Sequence, residues 1–508
     1  MSKTHTIAKN TLMLYIRMGV VMLVTFWTSR IVLEKLGVDD FGIYSVVGGV
    51  VVLFTFLNNA LLGATQRFLN FELGKKDFNR LRAVFSTSVF IHFCIAALVL
   101  ILAETLGLWF LNTQMNIPEP RMVAANWVYQ FSVAGTLVGI IRSPYNAAVI
   151  AYERMSFLAG LSITECLGKF GILFLLGFGV ADDLVLYAGL MFCVIALIAL
   201  GNWFYCRISF PEVSRLSFPR DKKLFSEILS FSGWQLISGV AGLSSTQGIN
   251  MLVNVFCGVA VNAAMGLANQ VSAAVYQFVG NFQMAFSPQI TKSYAENNKD
   301  YFMNLIFRSS KISYFMMLLV ALPVWLNADF LLHLWLTDVP AYTTDFVRLV
   351  IIFAMIDALN GPLWMSIGAT GNIKTYAICV SSLNFLNLPL AYFALRAGMA
   401  PESVLIIRIG TNLLMMASRL VILRKAIALP VRKFAVQVCV PVAVVSLLSL
   451  PLPWFAGRYL QNAWGGLIGS SGIAFIASVT WIWFLGLNAS EKNFVKEMFF
   501  KLKQRVGI

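Results

Sequence analysis

Residues 11–37, TLMLYIRMGVVMLVTFWTSRIVLEKLG, form an apolar run long enough to cross the hydrocarbon of a bilayer as one helix. Similar runs follow one another along the 508-residue chain, in which 59% of the residues are hydrophobic and only 12% are charged. A soluble domain carries about 25% charged residues. The sequence therefore predicts an all-α polytopic membrane protein. The first run is too long for a signal-peptide core and lacks a small-residue cleavage pattern, so we expect it to be retained as the first span.

Fourteen transmembrane helices are predicted from the apolar runs. They cover 12–34, 42–64, 83–107, 122–142, 155–178, 184–206, 228–256, 259–287, 305–326, 345–367, 376–395, 402–423, 434–453 and 466–487.

The positive residues indicate the orientation of these helices. Of the 38 Lys and Arg residues, 29 fall on the side that holds both termini and the loops after the even-numbered spans. The positive-inside rule makes that side cytoplasmic, so a bacterial cytoplasmic (inner) membrane protein with both termini inside is expected. The net charge of +15 is thereby explained without nucleic acid. Three residues lie deeper in the spans, and six fall in the opposite loops: Lys35, Arg121, Arg348, Arg396, Arg408 and Arg458.

Weak internal similarity divides the chain into two halves. ELGKKDF (72–78) resembles AENNKDY (295–301), and LWFLN (108–112) resembles LWLTD (334–338). An offset of six helices preserves orientation, which predicts two six-helix lobes related as parallel repeats. The predicted domains are an N-terminal lobe (1–210), a C-terminal lobe (211–425), helices 13 and 14 (426–487) and a tail (488–508). The tail places Phe494, Met498 and Phe499 near one helical face, which favours an anchoring helix on the inner membrane surface.

Enzymatic chemistry finds little support in this sequence. The three histidines are scattered, the seven cysteines form no C-x-x-C pair, and no P-loop is present. The loops on the outer side are too short for a membrane glycan polymerase or ligase. We expect a transporter without a cofactor or metal.

Two neighbouring spans carry polar side chains along one face. At 100° per residue, the amides of span 8 fall within an arc of about 120°, and those of span 7 cover a similar arc. Interhelical hydrogen bonding explains any single amide. As a set they predict the lining of a wet cavity that binds a hydroxyl-rich ligand. The candidate binding residues are Gln235, Gln247, Asn250 and Asn254 in span 7 and Asn269, Gln270, Gln277 and Asn281 in span 8.

The charged residues within spans are also candidates, because charge is costly in lipid. Glu165 and Lys169 have the i to i+4 spacing that suits either a self-contained ion pair or a ligand site. Asp357 lies in the middle of span 10 with Asn360 one turn on. Its carboxylate suits a coupling Na⁺ or H⁺, or a structural partner on another helix. Arg142 lies at the cytoplasmic end of span 4, where snorkelling of its side chain to the membrane surface suffices to explain the charge.

Arg17 and Arg30 lie in the first span, 13 residues apart. This spacing leaves a residual rotation of about 220°, so the two side chains do not share a helix face. Each lies near its own end of the span, where snorkelling to opposite surfaces is one explanation. A cationic substrate site is the other.

Several segments resemble the Wzx-type polysaccharide-export flippases of the multidrug, oligosaccharidyl-lipid and polysaccharide exporter superfamily, especially the Bacteroides-like subgroup. They are TSRIVLEKLGVDDFGIYSVVGGVV (28–51), ATQRFLNFELGK (64–75), SPYNAAVIAYERM (143–155), NQVSAAVYQFVGNFQMAFSPQITKSYA (269–295) and ATGNIKTY (369–376).

This resemblance implies two lobes around a cationic cavity and alternating access. The implied cargo is a polyprenyl-pyrophosphate-linked oligosaccharide, an O-antigen, capsule or exopolysaccharide repeat unit, carried from the cytoplasmic to the outer leaflet. The resemblance also favours Arg17 over Arg30 as the residue that meets the pyrophosphate. The expected partners are this lipid-linked glycan and membrane lipid, with a polymerase partner left open and a monomer expected. A cation-coupled multidrug exporter of the same superfamily is the alternative.

Overall fold

The fold is entirely helical wherever the structure describes it. A computed structural model describes residues 3–113, 117–176, 182–216, 221–336, 339–459, 463–489 and 491–493. In those ranges, ten helical segments are long and apolar enough to cross a membrane, and they match predicted spans 3 to 6 and 9 to 14. The predicted all-α polytopic class is therefore confirmed.

The helices are numbered along the chain. They are α1 (Lys3–Lys75), α2 (Phe78–Leu102), α3 (Leu108–Thr113), α4 (Met122–Ala151), α5 (Met155–Ile172), α6 (Asp183–Ser209), α7 (Pro211–Ser214), α8 (Lys222–Cys257), α9 (Val259–Ala295), α10 (Lys299–Leu326), α11 (Ala328–Trp335), α12 (Thr343–Thr370), α13 (Lys374–Arg396), α14 (Ser403–Ile427), α15 (Val431–Phe434), α16 (Val440–Ser449), α17 (Pro451–Tyr459) and α18 (Ala463–Trp481).

Predicted spans 1 and 2 lie in the single helix α1, so the predicted interruption at 35–41 is wrong. The intervening segment, KLGVDDF, has one glycine and no proline, and nothing in it obliges the backbone to leave the helical conformation. The 73 residues of α1 extend over about 110 Å, more than three times the roughly 30 Å of bilayer hydrocarbon.

Predicted spans 7 and 8 correspond to α8 and α9, and here the predicted boundary is right. Gly258 separates the two helices with φ of +89°, a conformation that a residue with a Cβ adopts only under strain. The helices contain 36 and 37 residues, which is enough to cross a bilayer. Their amides lower the mean hydropathy and keep both outside the ten apolar segments.

The chain forms two compact units. The N-terminal unit is Lys9–Leu236, and the C-terminal unit joins Ile237–Ile508 to Met1–Ala8. The division falls within α8. The predicted lobe boundary at 210/211 and the parallel-repeat relation stay predictions.

In the C-terminal unit, the last two membrane helices pack on α10. Tyr314 Oη and Ser446 Oγ of α16 are 2.8 Å apart, and Ser470 Oγ of α18 donates to Asn327 Oδ1 at 3.0 Å. In the middle of α10, one turn before Tyr314, the buried Lys311 ammonium contacts the Glu491 carboxylate at 2.6 Å. The segments α16 and α18, which correspond to predicted helices 13 and 14, are thus tied to the middle of α10 and to the residue directly after it. The predicted tail helix beyond Asn493 lies outside the described residues.

In the N-terminal unit, one arginine connects three segments. Arg121, directly before α4, forms ion pairs with Asp40 of α1 and with Asp182, the residue that caps α6. Burial alone would raise the pKa of Asp182. Hydrogen bonds from Arg121 and from the N–H groups of Val185 and Leu184 outweigh burial and hold that pKa below its ordinary value.

We predict that acidification loosens this connection. A carboxyl whose pKa is lowered by folding stabilises the fold above its unfolded pKa of about 3.9, and this contribution is lost as the pH falls through the folded pKa. Hydrogen exchange of the first turns of α4 and α6 should therefore accelerate between about pH 5 and pH 3 beyond the intrinsic pH effect. Arg121→Leu should show faster exchange at neutral pH and a smaller acid step, because only the Val185 and Leu184 N–H groups still lower the pKa of Asp182. An unchanged acid step in Arg121→Leu, with Arg396→Leu as the control, would contradict the assignment.

Candidate functional site

A row of polar side chains follows one face of α14 in the C-terminal unit. Arg408 and Arg419 are 11 residues apart, which is three full turns plus about 20°, so they lie on the same face about 16 Å apart along the axis. Between them on this face are Thr411 and Asn412, both buried. We call these four residues and their partners on α8, α9, α12 and α13 the α14 polar row.

At one end of the row, Arg408 lies among aromatic and hydroxyl groups. Its Nη2 donates to Thr246 Oγ1 of α8 at 3.4 Å, and its guanidinium carbon lies 4.4 Å from the ring centroid of Phe353. A guanidinium over an aromatic face gains a cation–π attraction that strengthens where water is excluded. Arg408 is thus held within the lobe.

The middle of the row is a chain of hydrogen bonds between helices. Thr411 donates to Asn387 Oδ1 at 2.6 Å, and Asn387 in turn donates to Ser245 Oγ at 3.2 Å. Asn360 donates to Asn412 Oδ1 at 3.1 Å. Two buried atoms of this last pair, the Asn360 oxygen and the Asn412 nitrogen, have no hydrogen-bond partner in the described part of the chain. These bonds tie α14 to α12 and α13, and α13 to α8, and still leave one acceptor and one donor.

Asp357 is the carboxylate of the row. It lies on α12, one turn before Asn360, and the Tyr276 hydroxyl of α9 is hydrogen-bonded to it. Both arginines lie within electrostatic range of Asp357. Of the salt bridges formed by described residues, none joins it to Arg408 or Arg419. One carboxylate therefore faces two guanidinium groups, and the row carries a net positive charge inside apolar helices.

Arg419 is the most buried cation of the row. It is 7% exposed, and its guanidinium carbon lies 5.8 Å from the ring centroid of Tyr376. Among the described residues, its Nε and Nη1 atoms have no hydrogen-bond partner. Leaving charged donors unsatisfied in a buried position is costly. The unpaired guanidinium donors suit an anion, whose oxygens would accept from them.

A second charged cluster lies in the N-terminal unit. Lys169 Nζ contacts Glu165 Oε1 at 2.8 Å, which is the ion pair that the i to i+4 spacing predicts. Arg142 Nη1 of α4 contacts the other oxygen of Glu165 at 3.3 Å. The prediction that Arg142 requires only snorkelling is therefore wrong, because this guanidinium is paired across helices.

The predicted amides fall into different environments. Gln235 lies in the N-terminal unit, where its side chain packs so close to Gly63 that a Cβ there would lie 2.7 Å from its oxygen. The other predicted amides belong to the C-terminal unit. Asn250 donates to Gln247 at 3.1 Å and accepts from Asn269 at 3.4 Å, so the two stripes meet at Asn250.

Within the remaining stripe, exposure varies from residue to residue. Gln270 and Gln277 are exposed, Asn254 is partly buried and Asn281 is 5% exposed. The stripes are therefore not one uniform lining.

Of the two arginines in the first span, Arg17 lies on α1 and is partly buried. Arg30 also lies on α1, but its side chain is outside the described part of the chain.

Comparison with known proteins gives the fold a name. Residues 226–393 match the sequence model of the MatE family. A multidrug resistance MATE family transporter of the MOP superfamily, in an outward-facing conformation, superposes with a TM-score of 0.72 at 12% identity, covering 84% of this chain and 98% of that one. The chain has the MATE transporter fold.

Two further relatives differ in what is known of them. A MOP superfamily transporter from Pyrococcus furiosus, described as having a binding pocket of reverse polarity, gives a TM-score of 0.70 at 13% identity and covers 84% of this chain and 98% of that one. In sequence, the chain is 22% identical over 376 residues to the uncharacterized membrane protein EpsK of Bacillus subtilis, covering 72% of each.

Sequence reasoning missed the two arginines that form the ends of the α14 polar row. It assigned Arg408 to an outer loop and counted Arg419 on the cytoplasmic side, whereas both lie inside α14. Their 11-residue spacing on one face, within a predicted span, was the signal that could have found them.

Proposed function

We propose that this protein is a flippase that moves a polyprenyl-pyrophosphate-linked oligosaccharide from the cytoplasmic to the outer leaflet of the bacterial inner membrane. The observation that carries the proposal is the excess of arginine over carboxylate in the α14 polar row. Arg408 and Arg419 face the single Asp357 among buried amides and hydroxyls. Guanidinium groups bind phosphate oxygens, and amides bind sugar hydroxyls.

The chemistry of such a cargo explains why a polar row is needed within apolar helices. Its prenyl tail can stay in lipid, but its pyrophosphate and sugars would pay a prohibitive desolvation cost in bare hydrocarbon. The MATE fold belongs to transporters that export other ligands too, and multidrug exporters are among its solved members. The fold alone therefore does not choose the cargo, and the excess positive charge of the α14 polar row supports an anionic one.

The role of Asp357 follows from the same charge balance. The Asp357 carboxylate attracts a sodium ion, but the two arginines near it repel one, so the local field as a whole disfavours a cation. We assign Asp357 to balancing Arg408 and Arg419, and leave the coupling ion, Na⁺ or H⁺, to other groups.

The competing function is a cation-coupled multidrug exporter. It is favoured by the solved neighbours with this fold and by the one carboxylate of the row. An organic cation would approach Asp357 past Arg408 or Arg419, which is electrostatically unfavourable. Loss of such an exporter would change sensitivity to cationic drugs and leave the lipid-linked glycan pools unchanged.

Deletion of the gene and its complementation by Arg17 variants test the proposal. Mass spectrometry should find lipid-linked oligosaccharide accumulating on the inner leaflet in the deletion strain, and wild-type protein should clear it. Arg17→Ala should fail to restore export, and Arg17→Lys should restore part of it because the positive charge is kept.

Expression of each variant in the membrane is the control, and the Arg30→Ala variant should be less sensitive. Full export by well-expressed Arg17→Ala protein would reduce this arginine to a membrane anchor. Unchanged lipid-linked pools in the deletion strain would overturn the flippase assignment itself.

A further inference from the structure

The cluster of Arg142, Glu165 and Lys169 in the N-terminal unit carries more positive charge than an internal ion pair requires. Glu165 and Lys169 on α5 already neutralise each other at 2.8 Å. Arg142 reaches the same carboxylate from α4 at 3.3 Å. The three groups together keep one uncompensated positive charge within apolar helices, where charge costs several kcal/mol. A purely structural pair would gain nothing from this third group.

The cluster also has unused hydrogen-bonding capacity. Within the described part of the chain, Arg142 bonds only through Nη1 to Glu165, which leaves four of its five N–H donors for another ligand. The side chains of Arg142, Glu165 and Lys169 are 22%, 21% and 31% exposed. The charged groups are therefore accessible from the surface of the unit.

The helix face around Arg142 continues the polar character of the cluster. Asn146, one turn further on, has a buried side-chain oxygen that no described residue hydrogen-bonds. Ser143 donates to Asn58 of α1 at 2.7 Å. Charge and free donors therefore occur together on this face of α4.

We propose that Arg142 and Lys169 form a binding site for the diphosphate of a prenyl-linked substrate, with Glu165 as the internal counter-ion that the diphosphate displaces. This assignment rests on the proposed function for the identity of the substrate. In the unliganded protein, Glu165 holds both cations in place. An incoming diphosphate offers more acceptor oxygens and more negative charge than one carboxylate, so Arg142 and Lys169 transfer their hydrogen bonds to it.

If the diphosphate displaces Glu165, substitutions of the two cations and of the carboxylate should change diphosphate affinity in opposite directions. With the purified protein in nanodiscs, binding of geranylgeranyl diphosphate is measured by native mass spectrometry, with geranylgeraniol as the uncharged control. Arg142→Gln and Lys169→Gln should weaken diphosphate binding about tenfold or more. Glu165→Gln should strengthen it several-fold, because the competing carboxylate is gone. Geranylgeraniol binding should be low and unchanged in all three variants.

A structural ion network predicts the reverse for Glu165. Glu165→Gln would then leave two cations uncompensated, lower the thermal unfolding midpoint most, and give no gain in affinity. Weaker or unchanged diphosphate binding by Glu165→Gln overturns the proposal. Where Glu165→Gln does not fold, Glu165→Asp replaces it, since the shorter carboxylate competes less and should still tighten binding. Arg396→Gln, at an exposed arginine of α13, is the matched control and should bind as wild type.

Two further measurements are needed. The first distinguishes a substrate diphosphate from a lipid headgroup, and the second tests the binding site independently of the flippase function. Displacement of the probe by an equal concentration of phosphatidylglycerol would assign the site to lipid headgroups and overturn the substrate assignment. Normal diphosphate binding and normal export by Arg142→Gln would show that the cluster is not the diphosphate site, without contradicting the flippase function. Unchanged lipid-linked glycan pools after gene deletion would contradict the flippase function. Stronger diphosphate binding by Glu165→Gln in the same protein would still support the anion site.

Discussion

Arg419→Gln is expected to abolish export while leaving the protein folded. The substitution removes the buried guanidinium whose Nε and Nη1 have no partner among the described residues, so the fold loses few hydrogen bonds. A bound anion would lose two charge-assisted hydrogen bonds, each of about 1.5–3 kcal/mol. A combined loss of about 3 kcal/mol corresponds to roughly a hundredfold decrease in the rate of export or in affinity. Arg419→Lys should retain part of the activity, because it keeps the charge but not the planar fork.

A double variant distinguishes ligand binding from charge balance at Arg419. If Arg419 served only to neutralise Asp357, then Asp357→Asn combined with Arg419→Gln would restore the balance and rescue export. If Arg419 binds the substrate anion, the double variant stays inactive. The measurement is clearance of inner-leaflet lipid-linked oligosaccharide by mass spectrometry, normalised to the amount of folded protein. Rescue by the double variant would contradict the binding role.

The helical class could be predicted from the sequence because it depends on local composition. Apolar runs and their lengths predict ten of the membrane segments, and Gly258 marks a helix boundary through its own backbone conformation. The interruption predicted within α1 was wrong because local composition was taken as evidence of a loop, whereas the helix continues through the segment. Residues 35–41 include three charged side chains, but charge does not end a helix unless the backbone finds other hydrogen-bond partners.

The charged clusters could be predicted only in part, because their partners are distant in sequence. The Glu165–Lys169 pair follows from helical spacing, whereas the contact of Arg142 with Glu165 depends on how α4 packs near α5. The arginines of α14 were misplaced because counting positive residues by side assumes that charges mark the ends of spans. Arg408 violates this assumption, since an aromatic ring and a hydroxyl hold it inside the lobe.

The second large effect is expected at the buried ion pair that ties the end of the chain to α10. Lys311 and Glu491 are 180 residues apart in sequence, and each side chain is 4% exposed, with the ammonium 2.6 Å from the carboxylate. The same carboxylate oxygen accepts the backbone N–H of Asn488 at 2.8 Å. Glu491 thereby also organises the turn that follows α18.

Lys311→Met is expected to destabilise the protein by about 3–5 kcal/mol, because it leaves Glu491 buried without a counter-ion. Combining Lys311→Met with Glu491→Met should recover most of this loss, since an apolar pair of similar volume avoids the desolvation of both charges. The free energy of unfolding in mild detergent measures both effects, and Lys492→Met, at the partly exposed neighbour of Glu491, is the matched control. Equal destabilisation by the single and double variants would mean that the two charges do not depend on each other. A small loss for Lys311→Met alone would mean that water reaches Glu491, and the end of the chain would then be held on α10 by the Tyr314 and Asn327 contacts instead.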